Sequence, residues 1–443
     1  MKTIKRDLYL DQLINKMSNG LIKIITGIRR SGKSYLLFNI FKNYLLENGV
    51  KEENIINLSL DDDRFREYRN PDNLSSYLYS KISNKAEKYY ILLDEVQFVI
   101  SDKEVKGKEP IRLYGILNGL LRLEKVDIYI TGSNSKFLSS DIMTEFRGRG
   151  DEIRVYPLSF KEFYSSGLFE NKYEAYEEYC AYGGLPMILN KKTSSEKSAY
   201  LKDLLTKTYV NDVIERNNLK GDIVIDNLVD ILASSIGSLT NPLKLSNTFK
   251  SNNIKVTDKT ISIYIDYLID AFIINKAKRY DIKGKKYINS PFKYYFTDIG
   301  LRNAKLNFRQ IEKTHIMENI IYNELLVRGF NVDVGIVEHK VKDNEGKQHI
   351  NNLEVDFVCN KESNRYYIQS AFSIPDEDKM KQETSSLDKI NDSFKKIIVT
   401  QDLGKPYHNE KGYLIINIFD FLLINNSLEL KIINKNFKIN GKT

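Results

Sequence analysis

One short segment near the start of the chain limits its possible folds more than any other feature: GIRRSGKS at residues 27–34. It fits the pattern G-x-x-x-x-G-K-[ST], with an apolar run at 21–25 before it and a helix-like stretch at 35–44 after it. At such a strand–loop–helix junction, backbone N–H groups converge on one point and the helix dipole favours an anion there. The segment therefore predicts a loop that binds the phosphates of a nucleotide.

Two side chains of this loop have expected chemical roles. We expect Lys33 to reach the β- and γ-phosphates of ATP, and the Ser34 hydroxyl to bind Mg²⁺. Arg29 and Arg30 either lie near the nucleotide as well or form ion pairs within the domain. The residues predicted to bind the nucleotide are Gly27, Arg29, Arg30, Ser31, Gly32, Lys33 and Ser34.

The pattern around this loop predicts an α/β domain over residues 1–160. Short apolar runs alternate with amphipathic segments, as a sheet with crossover helices requires. We expect a doubly wound, mainly parallel sheet of the P-loop NTPase type, which binds its ligand at the carboxyl ends of the strands. The predicted strands are residues 21–26, 54–60, 89–93, 127–131 and 152–156.

An acidic pair ends the third predicted strand. The segment at 89–93, YYILL, is apolar, and Asp94 and Glu95 follow it directly, which is the form of a Walker B element. We expect Asp94 to hold Mg²⁺ and Glu95 to polarise the attacking water as a general base. Together with the phosphate loop, this pair indicates hydrolysis as well as binding.

Two further features predict residues that respond to the γ-phosphate. The strand at 127–131 leads into a polar tip, so Asn134 or Ser133 is expected at the sensor-1 position beside the two Walker motifs. Phosphoryl transfer also needs a cation on the developing charge, which a neighbouring subunit often provides. Arg149 is the first candidate for this arginine finger, and Arg147 is the second.

The middle of the chain is predicted to be helical and then to form a winged helix. A helical extension is expected over 161–222, interrupted by a turn at YGGLP, residues 182–186. Residues 223–300 are predicted to form the winged helix. Its expected helices are 223–236, 242–249 and 258–271, with an N-cap at Thr257, and its hairpin strands are 273–280 and 285–289.

Exposed lysines make this winged helix a candidate DNA contact. The third helix would enter the major groove with Lys255, Lys259 and Thr260 near its start. The wing would meet phosphates through Lys283, Lys285 and Lys286. Packing of the winged helix against the first domain, without DNA, is the alternative.

The composition is compatible with this scheme. A net charge of +8 favours a nucleic-acid partner, although a genomic bias toward lysine would explain it as well. Cys180 and Cys359 are far apart, which argues against a disulfide framework or a zinc site. With no signal-type N-terminus and no apolar stretch of about 18 residues, we expect a cytoplasmic protein without a membrane contact.

The motifs, taken in order, resemble a known family. GIRRSGKS, LLDEVQ, ITGSNS, FRGRGDEIRVYPLSFKEF and YGGLPMIL are similar to the AAA-type ATPases of bacteria and archaea that carry a C-terminal domain of unknown function, restriction-endonuclease-like in fold. YFTDIGLRNA, a glutamate helix and an EVDFV strand follow in the same order. The resemblance implies a P-loop ATPase related to the signal-transducing branch of the superfamily, and it leaves the client undefined.

Carboxylates in the last predicted domain, residues 301–443, follow an incomplete nuclease pattern. A metal-dependent nuclease of the restriction-endonuclease type needs a helix glutamate, a strand aspartate and a further acidic-x-Lys strand. Here Gln369 stands at the acidic position and Ala371 at the lysine position, so we expect a nuclease-like α/β fold used for binding or assembly. The remaining candidate carboxylates are Glu318, Glu324, Glu354 and Asp356.

Three hypotheses of function result. The first is a Mg²⁺-dependent ATPase whose hydrolysis drives a conformational change in the winged-helix and C-terminal domains. The second is a slow nucleotide-controlled switch that recognises a protein partner, and the third is an ATP-regulated DNA nuclease. DNA and a protein client are the candidate partners, and a homo-oligomer is the candidate assembly.

Overall fold

The computed structural model describes most of the chain. The described residues are 4–82, 87–105, 108–132, 148–217, 219, 223–309, 312–342 and 348–430. Within them the strands form two separate sheets, one of five strands and one of eight.

The first sheet is parallel throughout and contains the five strands that the sequence predicts. The strand order is β2-β3-β4-β1-β5, and every neighbouring pair is parallel. The prediction of a mainly parallel sheet is thereby confirmed. The strands are β1 (Ile22–Thr26), β2 (Ile55–Ser59), β3 (Tyr89–Asp94), β4 (Val126–Thr131) and β5 (Gly150–Arg154).

Alternate side chains of these strands fill two apolar layers. Ile24 packs in one layer with Leu117, whereas Ile25 packs in the other with Phe41. Because strand side chains alternate between the faces, a strand that is covered on both sides is mostly apolar. The helices over the two faces are Asp7–Asn15, Lys33–Tyr35 continued by Leu36–Phe41 and Lys42–Glu47, Pro71–Lys81, Asp102–Val105 and Arg112–Leu121.

Helices follow the first sheet, as predicted for residues 161–271. The turn at Gly183 ends one helix at Tyr182, and the Thr257 side chain accepts a hydrogen bond from the Thr260 N–H, 3.1 Å away, as the N-cap of another. The helices are Phe160–Tyr164, Lys172–Tyr182, Ser194–Asp203, Leu204–Val210, Asn211–Arg216, Ile223–Ser234, Pro242–Ser251 and Asp258–Asp270.

The hairpin predicted as a wing is part of the second sheet. Strand β6 (Ile274–Asp281) pairs with β7 (Lys286–Phe296) and also, in parallel, with β8 (Asn331–Lys342), where Arg279 lies opposite Val334. The sheet order is β12-β13-β11-β10-β9-β8-β6-β7. Its remaining strands are β9 (Gln348–Lys361), β10 (Asn364–Ala371), β11 (Lys395–Thr400), β12 (Tyr407–His408) and β13 (Leu414–Asn417).

In the part of the chain that the structure describes, four helices accompany the second sheet. The longest, Lys313–Val327, packs its apolar side chains against the sheet core. The others are Ile299–Lys305, Glu377–Thr384 and Ile418–Leu423. Across the described residues, every helix is too short or too polar to cross a membrane.

Candidate functional site

The loop at 27–34 lies at the carboxyl edge of the first sheet, as predicted. It leaves β1 at Thr26 and enters the helix that begins at Lys33. Gly27 has φ +133°, and a Cβ there would lie 2.1 Å from the Val155 carbonyl oxygen. Only glycine therefore allows the loop to pass so close to the chain that leaves β5.

Lys33 lies inside this loop and is 4% exposed. Its ammonium donates to the carbonyl oxygens of Gly27 at 3.0 Å and Ile28 at 3.1 Å. Burial lowers the pKa of Lys33 to about 8, although the carboxylates of Glu95 and Asp94 raise it. The ammonium is thus short of negative charge, and an anion bound beside it would be stabilised.

Two serines of the loop complete a set of groups that fits a metal-bound nucleotide. The Ser31 hydroxyl is fully buried, with no hydrogen-bond partner in the described part of the chain. The Ser34 hydroxyl donates a hydrogen bond to the carboxylate of Asp94. Hydroxyl and carboxylate oxygens are the ligands that Mg²⁺ prefers, and the converging loop N–H groups suit phosphate. The residues present therefore fit ATP and Mg²⁺.

Asp94 reaches the loop because only β4 separates β3 from β1 in the sheet. It is the last residue of β3 and is 2% exposed. Burial raises the pKa of its carboxyl group, and hydrogen bonds from Thr131 and Ser34 oppose that rise. A doubly charged cation at this position would relieve the cost of burying the carboxylate.

Glu95 has an unusual backbone conformation that turns the chain out of the strand. Its φ of 54° and ψ of 50° place a residue other than glycine in the left-handed region. Its carboxylate accepts a hydrogen bond from the Gln97 amide. Strained backbone of this kind is concentrated at functional sites, which agrees with a role in catalysis.

Thr131 is a member of the site that we did not predict. It ends β4, between β3 and β1, and its hydroxyl donates to Asp94 and accepts from the Glu95 N–H at 3.1 Å. One side chain thus fixes both acidic residues. A polar residue at the end of an apolar strand was the available sequence signal, but the sensor prediction was placed two or three residues later, at Ser133 or Asn134.

Three predicted residues stay predictions, because Ser133, Asn134 and Arg147 lie outside the described residues. Arg149 is described and exposed, but it lies at the opposite edge of the sheet from its own phosphate loop. Its carbonyl accepts the Ile22 N–H at 2.9 Å, at the start of the parallel strands β1 and β5. Arg149 therefore does not contact the nucleotide site of its own chain.

Helices that follow the first domain contact the phosphate loop. Arg29 forms an ion pair with Asp212 at 2.8 Å, and the Tyr209 hydroxyl donates to the Arg29 carbonyl oxygen at 2.7 Å. Arg6 donates to the Ser31 carbonyl oxygen at 3.2 Å from the other side. Arg30 is exposed, with φ +62°. The ion-pair alternative for Arg29 is thus observed, although Asp212 belongs to the helical region.

A second cluster of charged side chains lies between β7, β9 and the helix Lys313–Val327. The Lys293 ammonium is 2.7 Å from Glu354, 2.9 Å from Glu318 and 3.8 Å from Asp356. Burial lowers the pKa of Lys293, but the three carboxylates outweigh it and hold the pKa above its ordinary value. Burial raises the pKa of Asp356 to about 7.

The cluster brings together three of the four predicted carboxylates and a lysine that we did not predict. Glu324 is separate, because it pairs with Arg328 one helical turn away. The Gln369 side chain accepts the Asp356 N–H at 3.4 Å, and Ala371 is buried. Within the described residues, no group of three or more His, Cys, Asp or Glu side chains is arranged to hold a metal ion.

The lysines predicted to meet DNA are exposed, but their surroundings differ between helix and hairpin. Lys259 shares the exposed face of the helix Asp258–Asp270 with Asp258 and Asp266. The wing lysines carry no adjacent exposed acid on the hairpin turn, where Asp281 is buried. The exposed set comprises Lys255, Lys259, Lys283, Lys285 and Lys286, whereas Thr260 is half-buried.

Two family models match the chain. Residues 19–164 match an AAA domain, which includes the phosphate loop, the Walker B pair and Thr131. Residues 173–312 match a Domain of unknown function (DUF8612), which includes the helical region and the hairpin of β6 and β7. The prediction of a P-loop ATPase domain is confirmed.

Relatives match along almost the whole chain. An uncharacterized protein of Haemophilus influenzae is 35% identical over 426 residues, 95% of this chain and 98% of that protein. An uncharacterized protein of Methanocaldococcus jannaschii is 29% identical over 435 residues, 95% of this chain and 88% of that protein. Among solved structures, a Walker-type ATPase of Pyrococcus abyssi matches with 15% identity and a TM-score of 0.48, covering 69% of this chain and 96% of that one. The chain therefore belongs to the same family as the Haemophilus influenzae protein, and its N-terminal part is an AAA-type P-loop ATPase domain.

Proposed function

We propose that the protein is a Mg²⁺-dependent ATPase in which nucleotide hydrolysis moves the helical region and the second sheet. One observation carries the proposal: Lys33, Asp94 and Glu95 meet at the carboxyl edge of one parallel sheet, and Lys33 there lacks a full counter-charge. That arrangement has the parts that phosphoryl transfer to water requires, which are a phosphate cradle, a metal ligand and a base.

Each residue has a separate task in this scheme. The N–H groups of the loop and the Lys33 ammonium bind the β- and γ-phosphates, and Ser34 and Asp94 hold the metal. When bound, Mg²⁺ neutralises charge on the phosphate oxygens. Glu95 accepts the proton of the attacking water, and Thr131 orients Asp94 and the Glu95 backbone. Asn134 senses the γ-phosphate, and Arg149 acts only in trans, on the nucleotide of a second copy of the chain.

A tightly packed turn supports the transmission of movement from the first domain. The Asp298 carboxylate accepts the N–H groups of Gly184 at 2.7 Å and Leu301 at 3.2 Å. The Gly184 carbonyl in turn accepts the Leu158 N–H, 2.7 Å away, on the chain that leaves β5. A Cβ at Gly183 would lie 2.1 Å from Asp298, so the fit depends on glycine.

The charges of the hairpin turn favour a phosphate backbone as one partner of the moving part. Lys283, Lys285 and Lys286 are all exposed on this turn, and phosphate contacts need such side chains rather than a particular base sequence. Asp258 and Asp266 on the third helix oppose its entry into a DNA groove. We therefore assign any DNA contact to the turn, and we leave the helix for packing or for a protein client.

The experiment that tests the proposal compares the wild type with Glu95→Gln. We expect the variant to bind a fluorescent ATP analogue with Mg²⁺ as tightly as the wild type, because Glu95 does not hold the phosphates. Steady phosphate release should fall by about 10²- to 10³-fold, because the general base is lost. Glu53→Gln, an exposed residue before β2, is the matched control and should hydrolyse ATP normally.

Three results would contradict this scheme in different ways. Equal turnover in Glu95→Gln would remove Glu95 as the base. Tight binding by the wild type without steady phosphate release would favour the slow nucleotide-controlled switch. Failure of the wild type to bind ATP would end the proposal.

A further inference from the structure

We propose that Asp212 is a positioning residue that restrains Arg29 and so weakens ATP binding until its ion pair opens. The inference rests on the proposed function, because it concerns the same nucleotide site. It adds a regulatory contact from the helical region, which the phosphate-loop motif does not contain.

The contact joins two parts of the chain that are 183 residues apart in sequence. Arg29 is the third residue of the loop at 27–34, and Asp212 lies in the helix Asn211–Arg216. The guanidinium Nη1 is 2.8 Å from the Asp212 carboxylate. The ion pair therefore links the phosphate loop directly to the helical region.

A second hydrogen bond fixes the same residue by its backbone. The Tyr209 hydroxyl, on a side chain that is 3% exposed, donates to the Arg29 carbonyl oxygen at 2.7 Å. Tyr209 and Asp212 lie in consecutive helical segments, so the same stretch of chain holds both the backbone and the side chain of Arg29. A change of the loop at this residue must move that element or break both contacts.

Electrostatics place the Arg29 charge within reach of the nucleotide site. Burial is the main cause that lowers the pKa of Lys33, and the Arg29 guanidinium lowers it further, so the Arg29 charge acts where phosphate is expected. The Arg29 side chain is 41% exposed, so it has room to turn. ATP phosphates would attract this guanidinium by charge-assisted hydrogen bonds, in competition with Asp212.

Competition between Asp212 and ATP for Arg29 determines whether loss of Asp212 strengthens or weakens ATP binding. While Asp212 holds Arg29, binding of ATP must first break an ion pair that is partly exposed. Removing the Asp212 charge should therefore strengthen ATP binding, whereas most changes near a binding site weaken it. In the same way, ATP binding should loosen the helical region from the loop, because the two equilibria are linked.

The experiment measures the dissociation constant of a non-hydrolysable ATP analogue with Mg²⁺ for the full-length protein. We expect Asp212→Asn to bind about two- to fivefold more tightly, the range for a partly exposed ion pair. Asp212→Glu keeps the charge and should bind as the wild type does. At saturating ATP, turnover should stay within about twofold of the wild type, since Asp212 does not contact the reacting atoms.

Two matched variants separate this effect from a general loosening of the helices. Asp203→Asn removes an exposed ion pair with Lys207 that lies wholly within the helical region, and it should leave the affinity unchanged. In an Arg29→Ala background, Asp212→Asn should also leave the affinity unchanged, because the proposed restraint acts on Arg29.

The outcomes distinguish this inference from the proposed function. A wild type that binds the analogue, with a folded Asp212→Asn that binds no more tightly, would overturn the restraint alone. The same gain of affinity with Arg29→Ala already present would overturn it too. A wild type that fails to bind the analogue would overturn the proposed function and the restraint together.

Discussion

Two buried lysines in this protein show how differently one side chain can be used. Lys33 and Lys293 are each 4% exposed, and each lies near acidic residues. Lys33 donates to two carbonyl oxygens, and burial lowers its pKa to about 8. Lys293 lies against three carboxylates, which raise its pKa above the ordinary value in spite of burial.

The difference lies in the counter-charge that each ammonium already has. At Lys33 burial outweighs the attraction of the Glu95 and Asp94 carboxylates, and a bound phosphate would add further negative charge. Around Lys293 the protein itself provides more negative charge than one ammonium neutralises. The Lys293 ammonium lies against all three carboxylates, so these side chains form an ion-pair cluster that joins β7, β9 and a helix. The comparison separates a buried lysine that a bound anion would stabilise from one that already has its counter-charges.

The largest effect should come from Lys293→Met, which leaves the carboxylates buried without their cation. We expect the free energy of unfolding to fall by about 3–5 kcal/mol, the usual cost of removing one partner from a buried ion pair. Urea denaturation measures this change. Lys286→Met, an exposed change on the same strand, is the control and should have little effect. A fall in the free energy of unfolding of less than about 1 kcal/mol would show that the ion pairs of the cluster do not stabilise the fold.

The same substitution at the other lysine should impair function without destabilising the fold. Lys33→Met should lower steady phosphate release by about 10²- to 10³-fold, because the positive charge that would stabilise the transferred phosphoryl group is lost. The free energy of unfolding at pH 7 should rise by about 1–3 kcal/mol. The reason is that a lysine pKa of about 8, below the ordinary 10.5, means that the buried charge costs stability there.

Stability and turnover of Lys33→Met are compared with those of Lys42→Met. Lys42 lies further along the same helical stretch and pairs with exposed Glu52. A Lys33→Met protein that is less stable than the wild type by several kcal/mol would contradict the contrast, because Lys33 would then be structural as Lys293 is.

Local sequence patterns were sufficient for most elements of the fold. All five strands of the first sheet and the helices at 223–234, 242–251 and 258–270 lie where apolar periodicity placed them. The phosphate loop and the Asp94–Glu95 pair could also be predicted, because both chemistry and spacing are contained in a few consecutive residues. These features need no knowledge of distant contacts.

Residues whose roles depend on tertiary contacts were harder to predict. Lys293 is 25 residues from Glu318 and 63 from Asp356 in sequence, and only the pairing of the strands brings it to them. The hairpin at β6 and β7 has the pattern of a wing, yet its pairing with β8 depends on a strand some 50 residues later. Arg149 lies at the far edge of its own sheet, so its role as an arginine finger for a second copy of the chain stays a prediction.

The smallest effect is a pH dependence that should appear at Lys33 and nowhere near Lys293. In the free protein Lys33 loses its proton with a pKa of about 8, whereas bound phosphates would keep it protonated to higher pH. Binding therefore takes up a proton above pH 8. The affinity for a non-hydrolysable ATP analogue with Mg²⁺ should fall by up to about tenfold for each pH unit above 8.

Lys33→Met provides the control for this titration, since its weaker affinity should not depend on pH between 7 and 9. Lys293 cannot cause the effect, because its carboxylates keep it protonated across that range. A wild-type affinity that is flat from pH 7 to 9 would mean that Lys33 already has its counter-charge in the folded protein. The two lysines would then be alike, and the argument for an anion site at residues 27–34 would rest on loop geometry alone.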